Sequence, residues 1–132
     1  MTEAATAHVT TLYDAIGGAP AVAALAGRFY ALMDVLPEAA ACRAVHPLSM
    51  VESEEKLRLY LTGWLGGPPV YVERHGPPML RRRHLHAPIG EAEIDGWLAC
   101  FERAWIETVA DRGLDDVLLP KVRALARHMR NT

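Results

Sequence analysis

Glu91-Ala92-Glu93-Ile94-Asp95-Gly96-Trp97-Leu98-Ala99-Cys100-Phe101-Glu102-Arg103-Ala104-Trp105 is the stretch that decides the fold class. Ile94, Trp97, Leu98, Phe101 and Trp105 share one broad apolar stripe if the segment is an α-helix, and no strand register gathers them. The stripe has to be buried against other helices, because alternating β-branched residues are nearly absent elsewhere. Toward the C-terminus, beyond Gly113, Val122, Leu125, Ala126 and Met129 predict a last helix that Pro120 either starts or kinks. In the other direction, Pro88 and Gly90 separate the main stripe from a short helix expected to begin near Pro77-Pro78 and run through His84.

Further upstream, residues 68–78 read as a loop. Before it, Ser49-Met50-Val51-Glu52 fits a capping box, and Leu57, Tyr60, Leu61 and Trp64 follow at helical spacing. Glu52 with Lys56 and Glu54 with Arg58 are i, i+4 pairs in the favourable order, and Gly66-Gly67-Pro68-Pro69 stops the helix. Gly17-Gly18 precedes Pro20, which suits the start of another helix carrying Val22, Leu25, Phe29 and Met33, with Pro37 expected to close it. The sum is an all-α domain of five or six helices.

Composition narrows the partners. The chain has 132 residues, 14 Lys+Arg against 16 Asp+Glu and 51% hydrophobic residues, which fits one domain with its own core. A net charge of −2 leaves no basic footprint for nucleic acid, and no run approaches the roughly 18 apolar residues of a membrane span. Arg81, Arg82 and Arg83 fan around a helix rather than forming a basic stripe. Met1 to Val9 lacks an apolar signal core, so the cytoplasm is the expected location, and Cys42 and Cys100 are expected to be reduced, with Cys100 a small core residue.

The chemistry centres on one histidine. His84 lies one turn after Leu80 and shares its apolar face, so its imidazole is expected to point inward. Taken alone, such a residue is more often a hydrogen-bonded core histidine. In an apolar cavity, a neutral imidazole is also a natural single ligand for haem iron, leaving the opposite coordination position open. His86 is the rival, but two helical residues rotate by about 200°, and His86 follows Arg82 on a polar face. A flat apolar cofactor would also complete a modest core. At about 25 cal/mol per Å², several hundred Å² of it contributes on the order of 10 kcal/mol before ordering costs.

The run Leu65-Gly66-Gly67-Pro68-Pro69-Val70-Tyr71, then His75-Gly76-Pro77-Pro78-Met79-Leu80-Arg81-Arg82-Arg83-His84, then Trp97-Leu98-Ala99-Cys100, resembles group II truncated haemoglobins. Leu12-Tyr13-Asp14-Ala15-Ile16-Gly17-Gly18 and Arg28-Phe29-Tyr30 match the opening helices of that family. The resemblance spans roughly Thr11 to Met129. It implies a truncated globin, a two-over-two helical sandwich around one b-type haem, over residues 11–132, with residues 1–10 as an extension. His84 matches the proximal histidine, Tyr30 the distal tyrosine and Trp97 the tryptophan that marks group II. His46 stands where many members carry Tyr or Phe, which changes the distal hydrogen bonding.

The same resemblance implies that Ser53 and Leu57 face the distal side of the haem, and that Met79 and Leu80 line the cofactor. Arg83, Tyr71 and Lys56 then lie near the propionates. Ser53 is a weak iron ligand, so internal six-coordination from its helix is not expected, whereas Tyr30 or His46 could approach the iron when no gas is bound. Trp97 Nε1 only donates, the Tyr30 hydroxyl donates or accepts, and His46 does either according to tautomer. Donors aimed at a diatomic ligand with partial negative charge slow its release.

The implied function is reversible binding of dioxygen and other small diatomic ligands at a five-coordinate iron, as oxygen transport or storage, by a monomer or homodimer. One alternative is a redox enzyme acting on peroxide, nitric oxide or nitrite, a peroxidase-like or nitric oxide detoxifying activity that needs an external reductase. A haem-based sensor lacks room for an output domain in 132 residues. An alternative of another class is a cofactor-free helical interaction module.

Overall fold

The computed structural model describes residues 10–132, so the expected extension over residues 1–10 lies, apart from Thr10, outside the described residues. The chain forms α1 (Leu12–Ile16), α2 (Ala19–Met33), a 3-10 turn (Pro37–Ala39) running into α3 (Ala40–Ala44), and α4 (Val51–Trp64). It continues through α5 (Val70–His75), α6 (Leu80–Arg83), α7 (Glu91–Thr108), a second 3-10 turn (Arg112–Leu114) and α8 (Asp115–His128). Strands are absent among the described residues.

Four long helices carry the core. α2 packs against both α4 and α7, and α8 packs on α7, which gives two pairs of helices facing each other. Val22, Leu25, Phe29, Phe101, Trp105 and Leu118 are fully buried at their junction. Each such side chain contributes about 1.5–3 kcal/mol by leaving water. α3 and the turn before it seat against α7 at Gly96, where an added Cβ would lie 2.9 Å from the Glu38 carbonyl oxygen and 3.2 Å from the Cys42 Cβ. Only a residue without a side chain permits that approach. Cys100, one turn along α7, is fully buried, as expected for a small core residue, and Cys42 is buried with it. Burial pushes the Cys42 thiol up to about 12 and the Cys100 thiol to about 11, so both stay protonated.

Several boundaries differ from the sequence reading. α2 ends at Met33, short of Pro37. Proline acts on the residue before it, and Leu36 is accordingly extended (φ −76°, ψ 125°), while Pro37 starts the 3-10 turn. The capping box at Ser49 is not formed. Met50 is the cap residue of α4, and the Ser49 hydroxyl accepts only a long bond from the Val51 N–H, at 3.4 Å. Residues 68–78 are not wholly a loop, since α5 lies within them and buries Tyr71. α6 is shorter than expected because Met79 is left-handed (φ 42°, ψ 50°), so the helix begins only at Leu80 and His84 becomes its C-cap. Pro120 lies inside α8 rather than at its start.

Among the described residues, no single helix is long and apolar enough to cross a membrane; α2 passes such a test only jointly with residues 37–44, at a bend of 89°.

Candidate functional site

The site is built from two halves of different construction. In the first, α7 stacks its aromatic stripe on itself. Trp97 lies parallel to Phe101, with ring centroids 5.3 Å apart, and Phe101 lies nearly parallel to Trp105 at 6.5 Å. Trp105 closes the column by donating from Nε1 to the Asp115 carboxylate at 2.6 Å. Phe29 of α2 packs against Trp97 at 5.1 Å and edge-on to Tyr30 at 4.8 Å. Trp97 is therefore held by rings on both sides while remaining only partly buried. Among the described residues, neither its Nε1 nor the Tyr30 hydroxyl has a hydrogen-bond partner.

His46 joins this half from the turn after α3. Its ring meets Tyr30 edge-on, with centroids 5.8 Å apart. His46 Nδ1 lies 2.9 Å from the Cys42 carbonyl oxygen, which can only accept, so Nδ1 carries the proton and the neutral ring keeps its lone pair on Nε2. The turn itself is fixed by Arg43, which donates to Asp34 at 2.7 Å, to the Pro47 carbonyl at 2.9 Å and to the Leu48 carbonyl at 2.8 Å. Burial, followed by the neighbouring Cys42 and Glu54, raises the Tyr30 pKa far above the ordinary phenol value, so its hydroxyl remains a donor at all physiological pH.

The other half comes from short elements. His84 donates from Nδ1 to the Leu80 carbonyl at 2.7 Å, which fixes the tautomer and leaves the Nε2 lone pair uncommitted. Against the expectation that its imidazole points inward, His84 is an exposed residue, because it caps α6 instead of lying within it. Burial nonetheless holds it below the usual histidine value. The Leu80 bond opposes that shift, and the charges of His86, His46 and Lys56 add to it. The neutral form of His84 is thereby favoured. His86 is exposed, and among the described residues its ring has no hydrogen-bond partner.

On α4, Ser53 and Leu57 are partly buried one turn apart, with Lys56 exposed beside them. Met79 and Leu85 keep about half their surface exposed, at 49% and 53%, and Leu57 and Trp97 only partly enter the core. Arg83 and Tyr71 are brought together: the guanidinium lies 5.8 Å over the Tyr71 ring while Nη2 donates to the carbonyls of His75 and Pro77 at 2.7 and 3.1 Å. Tyr71 also borders an apolar cleft of about 250 Å³ shared with Tyr60 and Trp64.

Two residues without an assigned role in the sequence reading stand out. His75 packs on Tyr71 at 5.0 Å with a buried, unpaired Nε2, and Asn131 bonds the segment after His84. His75 lay in the informative run, whereas nothing local marks Asn131.

Among the described residues, no three His, Cys, Asp or Glu side chains converge to hold a metal. One tautomer-fixed imidazole beside incompletely covered apolar side chains fits a metal whose remaining ligands arrive in a flat apolar macrocycle.

Comparison with known proteins agrees with that fit. A family model described as bacterial-like globin matches residues 11–131. The group 2 truncated hemoglobin YjbI of Bacillus subtilis is 38% identical over 89 residues, 67% of this chain and 67% of that protein. The chain superposes on a group II 2-on-2 hemoglobin from Agrobacterium tumefaciens with a TM-score of 0.92 and 58% identity, covering 96% of this chain and 98% of that one. It also matches a truncated oxygen-avid haemoglobin from B. subtilis at TM-score 0.82 and 34% identity, over 92% and 100% of the two chains.

Proposed function

The chain belongs to the bacterial-like globins as a group II truncated haemoglobin, a haem-binding fold, and from that premise we propose that it binds dioxygen and related diatomic gases reversibly. The cofactor is haem b, held through His84. One observation carries the reading: the Nδ1–H of His84 is committed to Leu80, leaving Nε2 to ligate, while Tyr30 and Trp97 offer donors that the described residues do not use. Haem, when bound, supplies a ferrous iron with one position for a gas. The oxygen-avid character of the B. subtilis relative supports the choice of ligand.

The chain's own residues divide the remaining work. Trp97 presents an N–H that can only donate, held in place by the stack on Phe101. Tyr30 keeps its proton because burial disfavours the phenolate. His46, with its Nδ1–H committed to the Cys42 carbonyl, packs edge-on against Tyr30 and holds that ring in place. Ser53 and Leu57 offer no strong iron ligand, so α4 leaves the gas position open. Arg83, Tyr71 and Lys56 supply charge and hydrogen bonds for the cofactor's carboxylates, and Met79 and Leu80 supply apolar contact.

A second reading rests on the same three polar side chains: they also suit reduction of peroxide or conversion of nitric oxide or nitrite, with an external reductase supplying electrons. The cytoplasm is the proposed location, in accord with two buried free thiols. Repeated cycles of oxygenation and deoxygenation decide between the readings. Stoichiometric uptake and recovery without loss of ferrous protein supports the carrier. Rapid oxidation on each cycle, with reductant-dependent consumption of peroxide or nitric oxide, supports the enzyme instead.

A further inference from the structure

The segment that follows His84 is held by its own turn, in which the Ala87 N–H donates to the His84 carbonyl at 3.0 Å, by Ile89 against the core, and by the residues beyond α8. α6 has four residues, Leu85 and His86 are exposed, and six residues separate His84 from the start of α7. Asn131, beyond the end of α8, fills this gap with hydrogen bonds. Its side-chain oxygen accepts from the Ile89 N–H at 2.8 Å, and its side-chain nitrogen donates to the Ala87 carbonyl at 2.9 Å and the His84 carbonyl at 3.4 Å. Its backbone N–H donates to the Ile89 carbonyl at 2.9 Å, and Thr132 N–H joins it there at 3.2 Å. An added Cβ at Gly90 would lie 2.8 Å from the Thr132 hydroxyl, so the tail runs directly against the segment. An amide has one acceptor oxygen and two N–H donors, and here all three are in use.

We propose that Asn131 is a positioning residue for the proximal histidine: by pinning the backbone carbonyls of His84 and Ala87 and both backbone groups of Ile89, it sets the orientation at which the imidazole meets the metal. The proposal rests on His84 being the iron ligand. The imidazole already takes one restraint from its own helix, the bond to Leu80. A ring tethered at Nδ1 still swings if its backbone rocks; among the described residues the turn bonds of His84 reach only Leu80, Arg81 and Ala87, and Asn131 ties that turn to the residues beyond α8. No other amino acid reproduces this clamp at the same length, since aspartate keeps the acceptor for Ile89 and lacks both donors.

The test compares Asn131→Ala, Asn131→Asp and Arg130→Ala. Arg130→Ala is the control, because among the described residues the Arg130 side chain bonds only the Thr132 carbonyl and none of residues 84–90. Each is measured as apoprotein by amide hydrogen exchange at Ala87 and Ile89, and after hemin loading by hemin release and by the iron–histidine stretching band of the ferrous form. Asn131→Ala is expected to lose exchange protection at Ile89, to release hemin about tenfold faster, within the range seen when partners of a metal-bound histidine are removed, and to broaden or shift the band. Asn131→Asp keeps the acceptor for Ile89 and still shifts the band. Should the alanine variant not fold, the aspartate variant decides. An unshifted band with hemin release within about twofold of wild type overturns the role of Asn131 and leaves the haem reading intact. Wild-type protein that takes up no hemin overturns the haem reading itself.

Discussion

The α2–α7 side of the site and the α5–α6 side are built by opposite means. The first is a dry packing of long helices, with Phe29, Trp97, Phe101 and Trp105 in ring contact and Gly96 drawing α3 against α7. The second is two helices of six and four residues joined by turns, fixed by polar bonds from Arg83 to carbonyls and from Asn131 to the residues after His84. Packed aromatics place a donor without needing a partner for it. Short polar elements place a lone pair by immobilising the backbone around it. The difference predicts that changes on the α7 side alter how long a gas stays, whereas changes on the α6 side alter whether the cofactor stays.

The largest effect falls on the α6 side. His84→Gly is expected to lose hemin on desalting and to regain it with added imidazole, while His86→Gly retains it; the reverse pattern, read from the Soret band, would move the ligand to His86. On the α7 side, Trp97→Phe keeps the stack on Phe101 and deletes the N–H. With one charge-assisted bond contributing about 1.5–3 kcal/mol, stopped-flow oxygen dissociation should speed up roughly ten- to hundredfold, with hemin affinity unchanged. An unchanged rate would remove Trp97 from the gas-binding set.

Gly96→Ala sharpens the comparison by attacking packing without touching a polar group. The new methyl meets backbone of the 37–39 turn, so we expect a loss of about 1–3 kcal/mol in denaturant unfolding, within the range for overpacked cores. Because Cys42 carries the carbonyl that orients His46, oxygen kinetics should change in the same variant.

The smallest effect is expected at Glu107, whose carboxylate is held below the ordinary value by hydrogen bonds from Arg28 and Arg103 at the surface. A depressed folded-state pKa stabilises the fold above the unfolded carboxylate value and loses that contribution as pH falls through the folded one. Glu107→Gln should therefore lower stability slightly at neutral pH and flatten the acid side of the pH–stability curve. A variant with an unaltered acid limb would show that the pair contributes nothing.

The two regions also differed in how far they could be read beforehand. The apolar stripe from Ile94 to Trp105 and the helix through Phe29 and Tyr30 were legible because burial imposes a period on the sequence, and both helices occur where that period predicts them. α5 was hidden between Pro69 and Gly76, too short to show a period. The late start of α6 depends on the left-handed Met79, a conformation that no local rule assigns to methionine. His84, Tyr30, His46 and Trp97 were picked out, but not the fixed tautomers of the two histidines, which depend on where the Leu80 and Cys42 carbonyls point. Asn131 was invisible because its partners lie more than forty residues away.

The central claim is that one imidazole binds the cofactor and nothing in the chain occupies the opposite side. The optical spectrum of the reduced, hemin-loaded protein before and after carbon monoxide tests it most directly. The account predicts a five-coordinate high-spin ferrous spectrum that converts to a six-coordinate low-spin one when the gas is added. A low-spin spectrum already present without gas, or no Soret band at all after loading, would contradict it.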